Sequence, residues 1–120
     1  FSGEGDRSFA AHLNCSHKFS PENRKFREAN TLSALLRLRL AETHNIQAAE
    51  RELEQALEIR RRIGDSYGLA ADYGNFAITL LELGHKAKAK EYALKARLIF
   101  EKIGLPSSVE MIDSIIASSQ

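Results

Sequence analysis

The sequence predicts an all-α fold, a stack of antiparallel helix hairpins, and three observations carry that expectation. No segment shows the period-two alternation of apolar and polar residues that a half-buried strand requires. Apolar residues recur instead at three- and four-residue spacing, and three of the stripes end at Gly64, Gly84 and Gly104. The chain also repeats itself. Shifted by forty residues, Leu40 falls on Leu80, Glu42 on Glu82, Ala49 on Ala89, Ala56 on Ala96, Ile59 on Ile99, Ile63 on Ile103 and Gly64 on Gly104.

The first nineteen residues read as a partly helical segment or a linker remnant. The chain opens on Phe1 and a polar, glycine-rich stretch through Asp6 that lacks the basic and apolar regions of a signal peptide. Asp6 can cap a short helix to about Lys18, with Phe9, Ala10 and Leu13 on one face. Ser20 then caps a helix whose first position is Pro21, where a missing N–H costs nothing. Phe26, Ala29, Leu32, Ser33, Leu36 and Leu40 form its stripe, and Leu35 and Leu38 widen it, as in a helix packed on two sides. It stops near His44-Asn45, with Asn45 expected in the left-handed cap conformation. The second helix carries Ala49, Leu53, Ala56, Ile59 and Ile63, and Gly64-Asp65 forms a stop followed by a cap. The third carries Tyr73, Phe76, Ala77, Leu80 and Leu83. The fourth carries Ala89, Tyr92, Ala93, Ala96, Ile99, Phe100 and Ile103. Pro106 opens a last helix with Val109, Ile112, Ile116 and Ala117, which begins a third unit.

The repeat has a physical sense. Ala49, Ala56, Ala89, Ala93 and Ala96 let helix axes approach, and Leu36, Leu40, Tyr73, Phe76 and Leu80 fill the space opposite. One hairpin cannot bury its apolar face alone, whereas stacked neighbours can. The unit Tyr73-x2-Phe76-Ala77-x2-Leu80-x3-Gly84-x4-Ala89-x3-Ala93-x2-Ala96 resembles the tetratricopeptide repeat over residues 24–120. Units of that family usually run about 34 residues. The longer unit here is similar to the variant found in bacterial multidomain regulators and signalling ATPases. The resemblance implies a right-handed α-solenoid, a TPR-like superhelix. It divides into a degenerate unit at 20–64, with Arg37 and His44 in place of a small residue and a glycine, a second unit at 65–104, and a capping helix at 105–120.

The resemblance also implies a protein–protein interaction module that takes a peptide or helix on its concave face. By register that face holds Leu35 and Leu38, then Asn75, Ile78 and Leu81, then Ile115, and it reads as apolar. The implied partner is an apolar or amphipathic protein segment. Family members that clamp the acidic C-terminus of chaperones need cations there. Ala34, Leu38, Met111 and Ile115 stand in those places with Asn75 alone matching, so that partner is not expected. The alternative is a structural spacer or self-association unit, its groove filled by residues 1–19 or by a second copy in a homodimer.

Other chemistries find less footing. Seventeen Lys and Arg against sixteen Asp and Glu leave a net charge of +1, unlike a dedicated nucleic-acid binder. Lys86, Lys88, Lys90, Lys95, Arg97 and Lys102 bracket the apolar stripe of the fourth helix as a solvated surface. Arg60-Arg61-Arg62 suit the negative end of theirs. His12, Cys15 and His17 offer too few ligands in one direction for a metal site. With no phosphate-binding glycine loop, nucleophile elbow or carboxylate pair, the chain is expected to be no enzyme and to need no cofactor. One cysteine excludes an internal disulfide and points to the reducing cytoplasm. No apolar run approaches the roughly 20 residues of a membrane span.

Overall fold

The computed structural model describes Phe9 and residues 21–120. Five helices make up the latter stretch: α1 (Pro21–Thr43), α2 (Ile46–Ile63), α3 (Ser66–Glu82), α4 (Lys86–Lys102) and α5 (Pro106–Ser118). The expected helix at 6–18, the Ser20 cap and the His12, Cys15 and His17 group lie outside the described residues, Phe9 excepted. Among the described residues there is no strand, and no helix is long and apolar enough to cross a membrane.

Short turns make each consecutive pair antiparallel. Helix α1 packs on α2, α3 on α4, and α5 returns along α4. The first helices also touch one another, α1 against α3 and α3 against α5. The result is the repeat solenoid expected from the forty-residue periodicity, with α1, α3 and α5 lining one side and α2 and α4 the other.

The turns explain the periodicity of the glycines. Helices α2, α3 and α4 all finish in the same way, with Gly64, Gly84 and Gly104 at φ 71°, 87° and 73°. In each turn the residue after the glycine donates its N–H back to the sixth-last position: Asp65 to Arg60, His85 to Leu80 and Leu105 to Phe100, at 2.9, 2.8 and 3.1 Å. The glycine itself donates to Arg61, Leu81 or Glu101. This doubly bonded C-cap needs a left-handed residue, which glycine supplies without a Cβ penalty. The first turn differs. His44, not Asn45, takes the positive φ of 57°. Asn45 instead caps α2, its Oδ1 accepting the Ala48 N–H at 3.1 Å. The asparagine is worth more as an N-cap acceptor than as a left-handed hinge, so the strain moves one residue back.

The core nests small against large. Ala49, Ala89, Ala93 and Ala96 share one core with Leu36, Leu40, Leu53, Phe76 and Leu80, and Ala56 is fully buried as well. Phe76 meets Tyr92 edge-on at 4.9 Å between ring centroids, and Tyr92 lies against Tyr73 at 6.0 Å. On the outer side the hairpins are tied by polar groups. The Tyr92 hydroxyl donates to Glu50 at 2.5 Å, and Lys88 reaches the same carboxylate at 3.0 Å. Burial alone would raise the Glu50 pKa, but the Tyr92 hydroxyl and Lys88 outweigh it and hold the carboxyl below its ordinary value.

Candidate functional site: the concave groove

The side of the solenoid formed by α1, α3 and α5 carries the candidate surface. Its two inter-unit seams are chemically unlike, and the difference traces to two positions in the repeat.

In the seam between the first and second hairpins stands Arg60, near the C-terminal end of α2. The sequence places it among three cations that suit the negative end of a helix, and the structure separates it from the other two. Arg61 and Arg62 are on the surface, paired with Glu54 and Glu58, whereas Arg60 is 3% exposed. Its guanidinium donates to both oxygens of Asp72 at 2.9 and 3.1 Å, to Asp65 at 2.9 Å and to Asn30 Oδ1 at 2.7 Å. It also lies 5.5 Å from the Phe26 ring centroid. One side chain thus links α1, α2, the turn and α3. Asp65 is further engaged as the α3 cap, accepting the Gly68 N–H at 2.8 Å. Burial would lower the Arg60 pKa, but Asp72 and Asp65 more than offset it, and the guanidinium is held above its ordinary value. Burial pushes the Asp72 carboxyl up, against the pull of Arg60. Ser33 lies near enough to favour the charged carboxylate, yet its hydroxyl makes no hydrogen bond of proper geometry.

These groups floor a cavity of about 200 Å³ between α1 and α3, walled by Asn30, Ala34 and Arg37 on one side, by Tyr67, Ala71 and Asn75 on the other, and bordered by Phe9. The groove is therefore less apolar than its register suggests. Charged side chains from the hairpin interface reach its floor, a contribution that counting first-helix positions alone leaves out.

Forty residues on, Phe100 stands in the place of Arg60 and Ile112 in that of Asp72. The seam between α3, α4 and α5 is accordingly apolar, with both residues fully buried. Phe9 enters here. Its ring packs against Phe100 at 5.1 Å between centroids, and its backbone N–H donates to Asn75 Oδ1 at 2.9 Å. Gly74 makes room. A Cβ at that position would sit 2.6 Å from the Phe9 ring and 3.1 Å from Ile112 Cδ1.

The residues expected on the concave face divide accordingly. Leu35 and Leu38 on α1 are exposed, Leu38 by 62%. Asn75 is buried and engaged with Phe9, and Ile78, the counterpart of Leu38, is also buried. Helix α3 has a neighbour on each side, whereas among the described helices α1 has only α3 on this side. Leu81 is partly buried against the core. Ile115 has no exposed surface, so it supports the face from beneath. Two features escaped the sequence reading. The buried role of Arg60 is visible only as a polar residue at a repeat position otherwise filled by Phe100. The second is Leu94 and Leu98, one turn apart and both exposed on α4, where Glu54 and Glu58 stand in the first unit.

Of the six basic residues of α4, Lys86 and Lys102 are exposed, and the other four have neighbours, Lys90 reaching Gln120 at 3.2 Å. Arg97 bonds Asp113 at 2.6 Å and Glu101 at 2.9 Å, Lys88 bonds Glu50, and Lys95 lies over the rings of Tyr73 and Tyr92. Among the described residues no three His, Cys, Asp or Glu side chains converge as a metal site requires.

A family model described as Tetratricopeptide repeat matches residues 27–102. Searches of curated proteins and of solved structures found no match.

Proposed function

Because the chain belongs to the tetratricopeptide repeat family, whose members serve as protein–protein interaction modules, we propose that it binds a protein segment on the concave side formed by α1, α3 and α5. The observation that carries this reading is Asn75. Its side chain is 5% exposed, yet its carbonyl oxygen holds the backbone N–H of a residue sixty-six positions away. A side-chain amide held in a groove and bonded to the main chain of a distant segment is what recognition of a polypeptide needs.

Leu35 and Leu38 supply exposed apolar contact, Asn75 the polar contact, and Ile78, Leu81 and Ile115 the packed base. The acidic C-terminus of a chaperone is a poor fit. Arg60 is already neutralised by Asp72 and Asp65, and Arg37 donates to the Ser33 carbonyl at 3.0 Å. The pairing of Lys88 and Arg97 with carboxylates disfavours nucleic acid. We read the site as a binding surface, in keeping with the scaffold role of its family. We place its work in the cytoplasm, where a chain with one cysteine is at home.

The test is selection of short random peptides on the immobilised chain. Enriched peptides should bind the Leu38→Glu variant about tenfold or more weakly, roughly 1.4 kcal/mol. They should bind a Leu98→Glu variant, changed on α4, as they bind the wild type. Equal affinity for wild type and Leu38→Glu would remove this face from consideration. A second reading, self-burial of the groove, is favoured by the placement of Phe9, which is only 8% exposed.

A further inference from the structure

We infer that the apolar seam beside Asn75 is a phenylalanine socket, that Phe9 occupies it as a built-in competitor, and that an incoming partner presents a non-helical segment bearing a phenylalanine of its own. This rests on the reading of the concave side as a peptide site and specifies what that site reads.

The geometry defines the ligand by two features of one residue. The ring is recognised by Phe100, 5.1 Å away, and by the bare backbone of Gly74. The N–H of the same residue is recognised by Asn75 Oδ1 at 2.9 Å. An amide inside an α-helix already donates to its own carbonyl four residues back. Asn75 therefore reads a segment whose amide is free, and Phe9 lies outside any helix. An amphipathic helix would satisfy the ring but not the asparagine.

The neighbouring seam shows why the ring goes here and not one unit earlier. There the same repeat positions hold Arg60 and Asp72, bonded to each other. Phe26 already lies against that pair, 5.5 Å from the guanidinium, and Phe9 only lines the cavity beside it while its ring stacks on Phe100. The Phe100 and Ile112 seam offers apolar surface only. A ligand tethered in the same chain competes at the effective concentration the tether sets, so it weakens any incoming segment without abolishing its binding.

The experiment uses the full chain and a fluorescent peptide of residues 1–20 as the probe, read by polarisation. The Phe9→Ala chain should bind this peptide at least tenfold more tightly than the wild-type chain does. A peptide carrying Phe9→Ala should bind neither. Adding Gly74→Ala to the Phe9→Ala chain should cost at least tenfold again, because the new methyl occupies the space of the ring. Equal binding to wild type and Phe9→Ala, or equal binding of the two peptides, would overturn the socket. Should the Phe9→Ala chain fail to fold, hydrogen exchange on the wild type decides. Excess peptide should speed exchange of the Phe9 amide, and unchanged protection would mean that Phe9 is permanent core. A wild-type chain whose mass doubles with concentration and returns on Phe9→Ala substitution would place the residue in a second copy and overturn self-occupancy. Failure of the Leu38→Glu test with success here would leave the socket standing and remove only the wider face.

Discussion

The Arg60–Asp72 pair lends itself to a decisive perturbation, because the protein contains its own apolar alternative forty residues away. Arg60 and Asp72 are 3% and 2% exposed and joined by two bonds of 2.9 and 3.1 Å. Replacing Asp72 by Ala leaves a buried guanidinium with Asp65 and Asn30 as its remaining partners among these bonds. Replacing Arg60 by Phe leaves a buried carboxylate without its cation. Arg60→Phe should cost about 3–5 kcal/mol, the usual loss when one member of a buried pair is stranded, and Asp72→Ala, which leaves Asp65 as counter-ion, about 3 kcal/mol, the lower end of that range. That is a large part of the roughly 5–15 kcal/mol expected for a domain. The double variant Arg60→Phe, Asp72→Ile copies the Phe100 and Ile112 seam. Asp65 keeps the Gly68 N–H, and the new ring can lie against Phe26. It should return to within about 1 kcal/mol of wild type, or exceed it. Urea unfolding measures this directly. With a slope of about 1–3 kcal/mol/M, each single variant should lower the midpoint by 1 M or more, and the double variant should restore it. The pH dependence adds a second readout. The Asp72 carboxyl is pushed up by burial, so the Arg60→Phe variant should recover stability as the pH falls through that raised value towards the ordinary 3.8, where the stranded group is neutral. A double variant as unstable as the sum of the singles would show that the two seams are not interchangeable and that the repeat comparison misleads.

Two further outcomes follow from the turns and the outer ties. Gly84→Ala should cost about 1–2 kcal/mol, because the residue sits at φ 87° and nothing lies within 4 Å of the added methyl to compensate. An unchanged urea midpoint would contradict the left-handed cap. Glu50→Gln should cost about 1 kcal/mol at neutral pH. The folded Glu50 pKa lies below the ordinary 4.5, so its contribution is complete above that value and is lost as the pH falls through the lower folded one. The gap between wild type and variant should therefore narrow in acid, and a gap independent of pH would rule out the ion-pair account.

The helix stops were legible because a doubly bonded C-cap demands a residue free of Cβ strain, and Gly64, Gly84 and Gly104 announce it at a fixed interval. The nested alanines were legible because close axes admit little else. Arg60 was not. A triple arginine in the last turn of a helix reads as charge suited to the macrodipole, and what distinguishes its first member is a carboxylate, Asp72, on a helix that comes later. Nor was the burial of Ile115. On a single amphipathic stripe, concave and core positions are adjacent, and their division depends on where α4 and α5 meet. Asn75 stood out in the sequence as a groove residue, but its bond to Phe9 did not, since nothing local relates it to position 9.

The two seams also bear on how a repeat array acquires specificity. Successive hairpins share turns and alanine spacing, so the backbone frame is nearly the same at each interface. What differs is the pair at one repeat position and its neighbour: Arg60 with Asp72 in the first seam, Phe100 with Ile112 in the second. A bidentate ion pair fixes orientation between hairpins, since its bonds tolerate little rotation. An apolar pair leaves surface that can accept another apolar group, and Gly74 together with Asn75 turns that surface into a position for one residue of a passing chain. On this argument the polar seam sets the angle of the groove and the apolar seam reads the ligand. Substitutions in the first should alter affinity for every peptide alike, whereas substitutions in the second should alter which peptides bind.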